Sequence, residues 1–552
     1  MSRIKEKLVI IKNSSIGLIF KMRISVNYFK IIILYSLFLT FFFNFHLYEY
    51  FEKGYDLQYE NEFQENYFLF TGYVLIFTTF ASLFFIAGQR HILKPLIIFI
   101  IFISAVDYYF LNNLGVIIDE GIIQSTIDSF RERNWGEIND VLTFKYFLFL
   151  FLFWFLPTLI LILVKIDYPK FSKEISTRLI ASMLLFAITL GLIFVNYKNI
   201  SFIARGSKAL KEQVVPHYFV SNIKDYYDQL KNANREVVKL QYNVEQLFPE
   251  DNMIGIVVVG ETARADRFSL NGYNKNTNPL LEKEEIQNFT EAYACGTYTT
   301  ISVPCMFSLA SYDNFNFHEE KYRENILDLT KAAGIETIWI ENNSSCKHVC
   351  DRIQTIDFVN KGTEDYVGYG VHDEITLKRL EKLINQKQSK KLLIIVHTMG
   401  SHGPAYYNRY PDESRKFEPN CVSNDPQSCD LEALNNTYDN TILYTDYILS
   451  SMINILKKQN NSENFLIYAS DHGESLGENG LYLHGAPIKF APKEQVHVPI
   501  LMWSSENLKQ KRDYPNVKNI DKKITHEFLR HTVMDFFNLK TNYFNPEKSM
   551  LR

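Results

Sequence analysis

Four apolar runs in this chain each end in residues able to do chemistry. Ile254–Val259 is followed by Gly260-Glu261-Thr262-Ala263-Arg264, and Thr337–Ile340 by Glu341-Asn342-Asn343 and then Lys347. Leu392–Val396 is followed by His397 and then His402, and Phe465–Ala469 by Ser470-Asp471-His472-Gly473-Glu474. Asp471 and His472 put a carboxylate and an imidazole side by side, and Glu261 supplies a second carboxylate. That donor set suits zinc first and manganese second. A metal ion turns a hydroxyl, a poor nucleophile at its free pKa, into a competent one by stabilising the alkoxide. The hydroxyl candidates are Thr297, Thr299 and Thr300, in the run Cys295-Gly296-Thr297-Tyr298-Thr299-Thr300-Ile301-Ser302-Val303-Pro304-Cys305. The residue types alone leave the three equivalent. A helix expected to begin near Ser302 would favour a phosphoryl group beside them. A capping or surface role accounts well for a lone Asp or His and poorly for the combined set.

The elements that must position these residues are legible around them. Short apolar runs bounded by turn signals read as fully buried strands. Their alternation with helical stretches indicates an α/β domain with a mainly parallel sheet, assigned to residues 246–552. In such a sheet ligands bind beyond the carboxyl ends of the strands, so the four loaded tails are expected to converge.

The first 196 residues differ in kind. Five segments are long and apolar enough to span a bilayer, approximately Tyr28–Tyr48, Tyr67–Gly88, Leu93–Leu111, Lys145–Val164 and Leu179–Val195. The second and third are separated only by residues 89–92, a tight hairpin. Residues 1–30 carry seven Lys or Arg and one Glu, and loop 47–66 carries six acids and one Lys. Loop 112–143 has six acids and two Arg, and loop 165–178 four basic residues and two acids. Basic and acidic loops alternate, so the N-terminus is expected in the cytoplasm and everything after residue 196 outside it. No cleavable signal peptide is expected; the first span serves as the anchor. Loop 112–143 has an amphipathic pattern (Val116, Ile117, Ile118, Ile122, Ile123, Ile127) suited to lying on the outer membrane surface and closing over a lipid. Residues 197–245 read as a polar helical linker interrupted at Pro216.

All six cysteines lie outside the apolar half, in close pairs: Cys295 with Cys305, Cys346 with Cys350, Cys421 with Cys429. Such pairs suggest three short-loop disulfides formed in an oxidising compartment, which agrees with the charge argument. A formal net charge of −4 gives no case for nucleic-acid binding.

These residues resemble a family. VVVGETARADRFSLNGY (257–273), CGTYTTISVPCMFS (295–308), ENNSSCKHVC (341–350), HTMGSHGP (397–404) and SDHGESLGENGLYLHG (470–485) are similar to motifs of the phosphoethanolamine transferases that modify lipid A, including the mobile colistin-resistance enzymes. That family belongs to the alkaline phosphatase and sulfatase superfamily. The resemblance implies zinc ligands at Glu261, Thr299, Asp471 and His472, with Thr299 as nucleophile. It implies one firmly bound zinc and room for a second. His402 and His484 match residues that contact phosphoethanolamine or the second zinc, and Asn342 and Lys347 match substrate-pocket positions. All three cysteine pairs fit disulfides of the family or its close relatives. The implied donor is phosphatidylethanolamine, and the implied acceptor lipid A or another envelope glycan or protein. The implied place is the bacterial inner membrane with the catalytic domain in the periplasm, and a monomer is expected. Polymyxin resistance follows only if the acceptor is a lipid A phosphate. Two rivals stand beside this reading: a phosphoglycerol transferase or phosphodiesterase of the same superfamily, and a non-catalytic membrane scaffold.

Overall fold

The computed structural model describes residues 24–47, 62–114, 142–196 and 237–552, except 344, 360–364, 366, 368–370, 424–425, 479–480, 487, 490 and 512–518. Isolated residues between 118 and 127 and between 214 and 223 are also described. The surface helix expected in 112–143 and the linker expected over 197–245 fall largely outside these residues. The chain forms two compact units, one built on the N-terminal helices and the other containing Ile223–Arg552.

Among the described residues the first unit holds five apolar helices: α1 (Tyr28–Phe43), α2 (Glu62–Ala87), α3 (Leu93–Leu114), α4 (Phe144–Leu163) and α5 (Phe171–Val195). The last four are long and apolar enough to cross a membrane, whereas α1, with 16 residues, is shorter than the expected Tyr28–Tyr48. The tight link between α2 and α3 is present, closed by Ile92 and Leu93 N–H donating to the Gln89 carbonyl at 2.8 Å. Helix α5 begins eight residues before the expected Leu179, because Glu174 and Arg178 in its first turns are buried and paired. Arg178 donates to Glu174 at 3.1 Å and to the Phe84 and Phe85 carbonyls at 3.2 and 3.1 Å, and Arg90 donates to the other Glu174 oxygen at 2.9 Å. Arg178 is buried, and its Nε and Nη1 donors are used in this way. Here they also cap the end of α2.

The second unit is built on one eight-stranded sheet. Its strands are β1 (Met253–Gly260), β2 (Gln287–Phe289), β3 (Glu336–Glu341), β4 (Gln354–Asp357), β5 (Lys391–His397), β6 (Glu463–Ser470), β7 (Ile500–Ser504) and β8 (Asn519–Ile520). They lie in the order β8-β2-β7-β6-β1-β5-β3-β4, and β7 alone runs against the rest. All four strands expected from the sequence are present. Both faces are covered, so they read as continuous apolar runs. On one face Phe465 stacks on Phe536 of helix Glu527–Phe536 at a centroid distance of 4.0 Å.

Register brings the tails together. Val259 pairs with His397, Gly260 with Ser470, and Glu341 with His397. Four adjacent parallel strands therefore end in one row, and the residues that follow leave the sheet at the same edge.

Candidate active site

Glu261, Asp471 and His472, all fully buried, present ligand atoms within 4.8 Å of one another just past that row. Thr299 opens helix α6 (Thr299–Phe307), and its hydroxyl donates to Glu261 Oε2 at 3.2 Å. The helix starts three residues earlier than the expected Ser302. The Tyr298 carbonyl already accepts from Ile301 and Ser302 N–H at 3.1 and 3.0 Å, and Gly296 packs against Ile301 and Ser302, where a Cβ would sit 2.8 Å from Ser302 Oγ. The nucleophile candidate thus occupies the first helical position, where the dipole favours negative charge. Of the other two, Thr297 spends its hydroxyl on the Ala486 carbonyl at 2.6 Å; Thr300 is buried in the first turn.

Asp471 and His472 each have one atom pinned and another left over. Asp471 Oδ1 accepts from Thr262 and His472 N–H at 3.1 and 2.7 Å, and Oδ2 has no hydrogen-bond partner. His472 Nδ1 is bonded to the Gly473 carbonyl at 2.9 Å, and Nε2 has no hydrogen-bond partner. Nε2 lies 3.4 Å from both Asp471 Oδ2 and Glu261 Oε1. Glu261 Oε2 accepts from Asn343 Nδ2 at 2.7 Å. The unclaimed buried atoms converge on one point, and the outer partners fix their orientation, as around a bound metal. Zinc, the ion the resemblance implies, fits this donor set of two carboxylates, an imidazole and a hydroxyl. The electrostatics agree: burial and the neighbouring Asp471 push the Glu261 carboxyl well up, burial pushes that of Asp471 up to about 6, and burial holds His472 neutral. A cation among them favours both carboxylates ionised.

Around this cluster stand the remaining candidates. The His484 ring lies 4.3 Å from that of His472 and 6.2 Å from that of His402. His484 Nδ1 bonds the fully buried Glu474 carboxylate at 3.2 Å. Burial, Arg409, His484 and Lys347 together hold the His402 imidazole well below its usual pKa. Lys347 is buried. Asn342 turns elsewhere, its amide donating to the Val371 carbonyl at 3.0 Å and to Asp373 at 2.8 Å. Asp373 also accepts from Met399 and Gly400 N–H at 2.8 and 3.0 Å, and so braces the turn that leads to His402. In that turn Gly400 (φ +50°) is pressed on Glu261, where a Cβ would meet the backbone oxygen at 2.8 Å. The six cysteines form the three expected disulfides, Cys295–Cys305, Cys346–Cys350 and Cys421–Cys429.

Asn343, Glu474 and Asp373 were not singled out as site residues from the sequence. Asn343 and Glu474 stand in the same strand tails as the ligands, and that was the available signal. Asp373 sits in an unremarkable polar stretch. Backbone strain marks the site as well. Six described non-glycine residues have left-handed φ, and five of them flank site positions: Thr262 follows Glu261, Leu483 precedes His484, and Ser345, Lys347 and His348 surround or include Lys347. Each costs about 1 kcal/mol or more, so the surrounding structure must impose it. Because Asn343 anchors Glu261 Oε2 from the β3 tail, Asn343→Leu is expected to weaken zinc affinity about 10- to 100-fold. Titration against a competing chelator measures this.

The family model described as Sulfatase matches residues 254–539, and that described as Phosphoethanolamine transferase EptA/EptB matches residues 75–230. Phosphoethanolamine transferase EptA of Escherichia coli (strain K12) is 34% identical over 476 residues, covering 83% of this chain and 85% of that protein. Phosphatidylethanolamine transferase Mcr-1 of Escherichia coli is 32% identical over 496 residues, covering 87% and 89%. The solved structure of the integral membrane protein lipooligosaccharide phosphoethanolamine transferase A from Neisseria meningitidis matches with a TM-score of 0.82 at 30% identity, covering 96% of this chain and 99% of that one. The chain therefore belongs to the phosphoethanolamine transferase family, with a bundle of apolar helices followed by a sulfatase-like α/β domain.

Proposed function

We propose that this protein transfers phosphoethanolamine from phosphatidylethanolamine to an envelope acceptor, lipid A or lipooligosaccharide first among them, through a phosphoethanolamine–Thr299 intermediate. The observation that carries the reading is the convergence of Thr299, Glu261, Asp471 and His472 at one edge of a parallel sheet, in a chain of this family. Zinc held by these four residues would lower the pKa of the Thr299 hydroxyl and offset phosphoryl charge, with His402 and His484 facing the transferred group.

The chain's own residues divide the rest of the work. Thr299 Oγ1 attacks phosphorus as the bond to the diacylglycerol oxygen breaks, and the hydroxyl's hydrogen bond to Glu261 marks the way out for its proton. The first turn of α6 offers its positive dipole end to the transferred group. His484, held by Glu474, is the group placed to give the leaving oxygen a proton and later to take one from the acceptor hydroxyl. His402, kept neutral by burial and by Arg409, and Lys347 donate to phosphoryl oxygens. The acceptor then attacks the same phosphorus and frees Thr299. Glu474→Gln turns an amide toward His484 Nδ1 and is expected to lower kcat about 10²-fold with the zinc content unchanged. Steady-state kinetics beside metal analysis checks this.

In this reading residues 1–196 anchor the chain in the inner membrane with the N-terminus cytoplasmic, 197–245 link the parts, and 246–552 form the periplasmic catalytic domain. Both substrates are lipids, which gives the anchor its purpose. The test is mass spectrometry of products from vesicles holding phosphatidylethanolamine, phosphatidylglycerol and lipid A. A lipid A product gaining phosphoethanolamine supports the reading. A phosphoglycerol product, or donor hydrolysis with no transfer, overturns it in favour of the two superfamily rivals.

A further inference from the structure

Three of the left-handed residues lie in one short stretch: Ser345 (φ +88°), Lys347 (φ +50°) and His348 (φ +70°). Glycine adopts such angles freely, yet no glycine stands between Glu341 and Asp351. Something other than residue choice must impose them. Cys346 and Cys350 close a five-residue ring around Lys347, His348 and Val349. Both cysteines and Val349 are buried in the apolar core under the sheet. Val349 N–H donates to the Cys346 carbonyl at 3.0 Å, and Asn325 Nδ2 donates to the Val349 carbonyl at 2.9 Å. Asp328 in turn pairs with Arg352 at 2.7 Å. Three of the five ring residues are thus fixed from below. The other two point apart: His348 is exposed and pairs with Asp351 at 2.9 Å, whereas Lys347 is buried. Lys347 stands four residues past Asn343, whose amide donates to Glu261 at 2.7 Å, so the ring adjoins the cluster of Glu261, Asp471 and His472.

We propose that the Cys346–Cys350 ring is a positioning device for Lys347, holding the backbone in left-handed angles that turn the ammonium group into the cleft. An unoxidised ring leaves a chain that folds and binds zinc but transfers poorly. The proposal rests on the reading of Lys347 as a contact of the transferred group.

The test compares four full-length proteins in detergent with fluorescent phosphatidylethanolamine as donor: wild type, Lys347→Ala, Cys346→Ser/Cys350→Ser, and all three substitutions together. Opening the ring is expected to lower kcat/KM about 10- to 100-fold, as Lys347→Ala does, with one zinc retained. The triple variant is expected to be no worse than Lys347→Ala, because the ring acts only through that side chain. A merely structural ring would give losses that multiply, and that result overturns the proposal, as does an opened ring with activity within twofold of wild type. Full activity of Lys347→Ala would overturn the reading beneath it instead. Should the cysteine variants fail to accumulate, a glycine inserted between His348 and Val349 keeps the disulfide but relaxes the angles. That variant is expected to match Lys347→Ala, and wild-type turnover in it would overturn the proposal.

Discussion

Thr299→Ala is expected to lower turnover at least about 10⁴-fold, the scale seen when a covalent nucleophile is removed. The fold should survive. Thr299 is the first residue of α6, its neighbours are held by the Tyr298 carbonyl and the Cys295–Cys305 disulfide, and alanine is a good helix former. The Thr299 hydroxyl bonds Glu261, which Asn343 also holds, so its loss leaves that carboxylate anchored. Thr297→Ala differs in kind. It frees the Ala486 carbonyl, and with it the segment after His484, so a partial loss with lowered stability is expected. Initial rates and thermal melting of the two variants, side by side, separate the roles.

Asp471→Asn is expected to abolish stoichiometric zinc binding, with affinity down at least about 10²-fold, and activity with it. The substitution is nearly isosteric, so the effect follows from orientation. Thr262 and His472 N–H both donate to Oδ1. An asparagine must turn its carbonyl oxygen toward those two donors, which leaves its NH₂ group where Oδ2 met the metal. An amide nitrogen carrying two protons has no lone pair to offer. Metal analysis of the purified variant measures this directly, and excess zinc should restore little activity.

The sequence carried the sheet because β1, β3, β5 and β6 are covered on both faces, so no alternation hides them. It carried Glu261, Asp471 and His472 because residues at the ends of parallel strands in register leave the sheet together. It carried the three disulfides because the cysteine partners are close in the chain. Other features depend on contacts between distant segments and leave little trace. The start of α6 at Thr299 is set by the packing of Gly296 on Ile301 and Ser302. Helix α5 extends past its apolar run because Arg178 finds Glu174 and the end of α2. The brace of Asp373 joins the tails of β3 and β5, which are more than fifty residues apart. His484 follows none of the four long strands. It succeeds Tyr482–Leu483, a two-residue strand paired with Ser475–Leu476, and only the resemblance pointed to it. The left-handed residues of the 345–348 loop had no glycine to announce them.

The central claim is a covalent intermediate on Thr299, and intact-mass analysis tests it most directly. The purified zinc-loaded chain is mixed with phosphatidylethanolamine, quenched within milliseconds to seconds, and weighed beside Thr299→Ala. The expected result is one added phosphoethanolamine group on the wild type, located on the peptide that carries Thr299, and none on the variant. An adduct retained by Thr299→Ala, or steady turnover with no adduct at any quench time, would contradict the account.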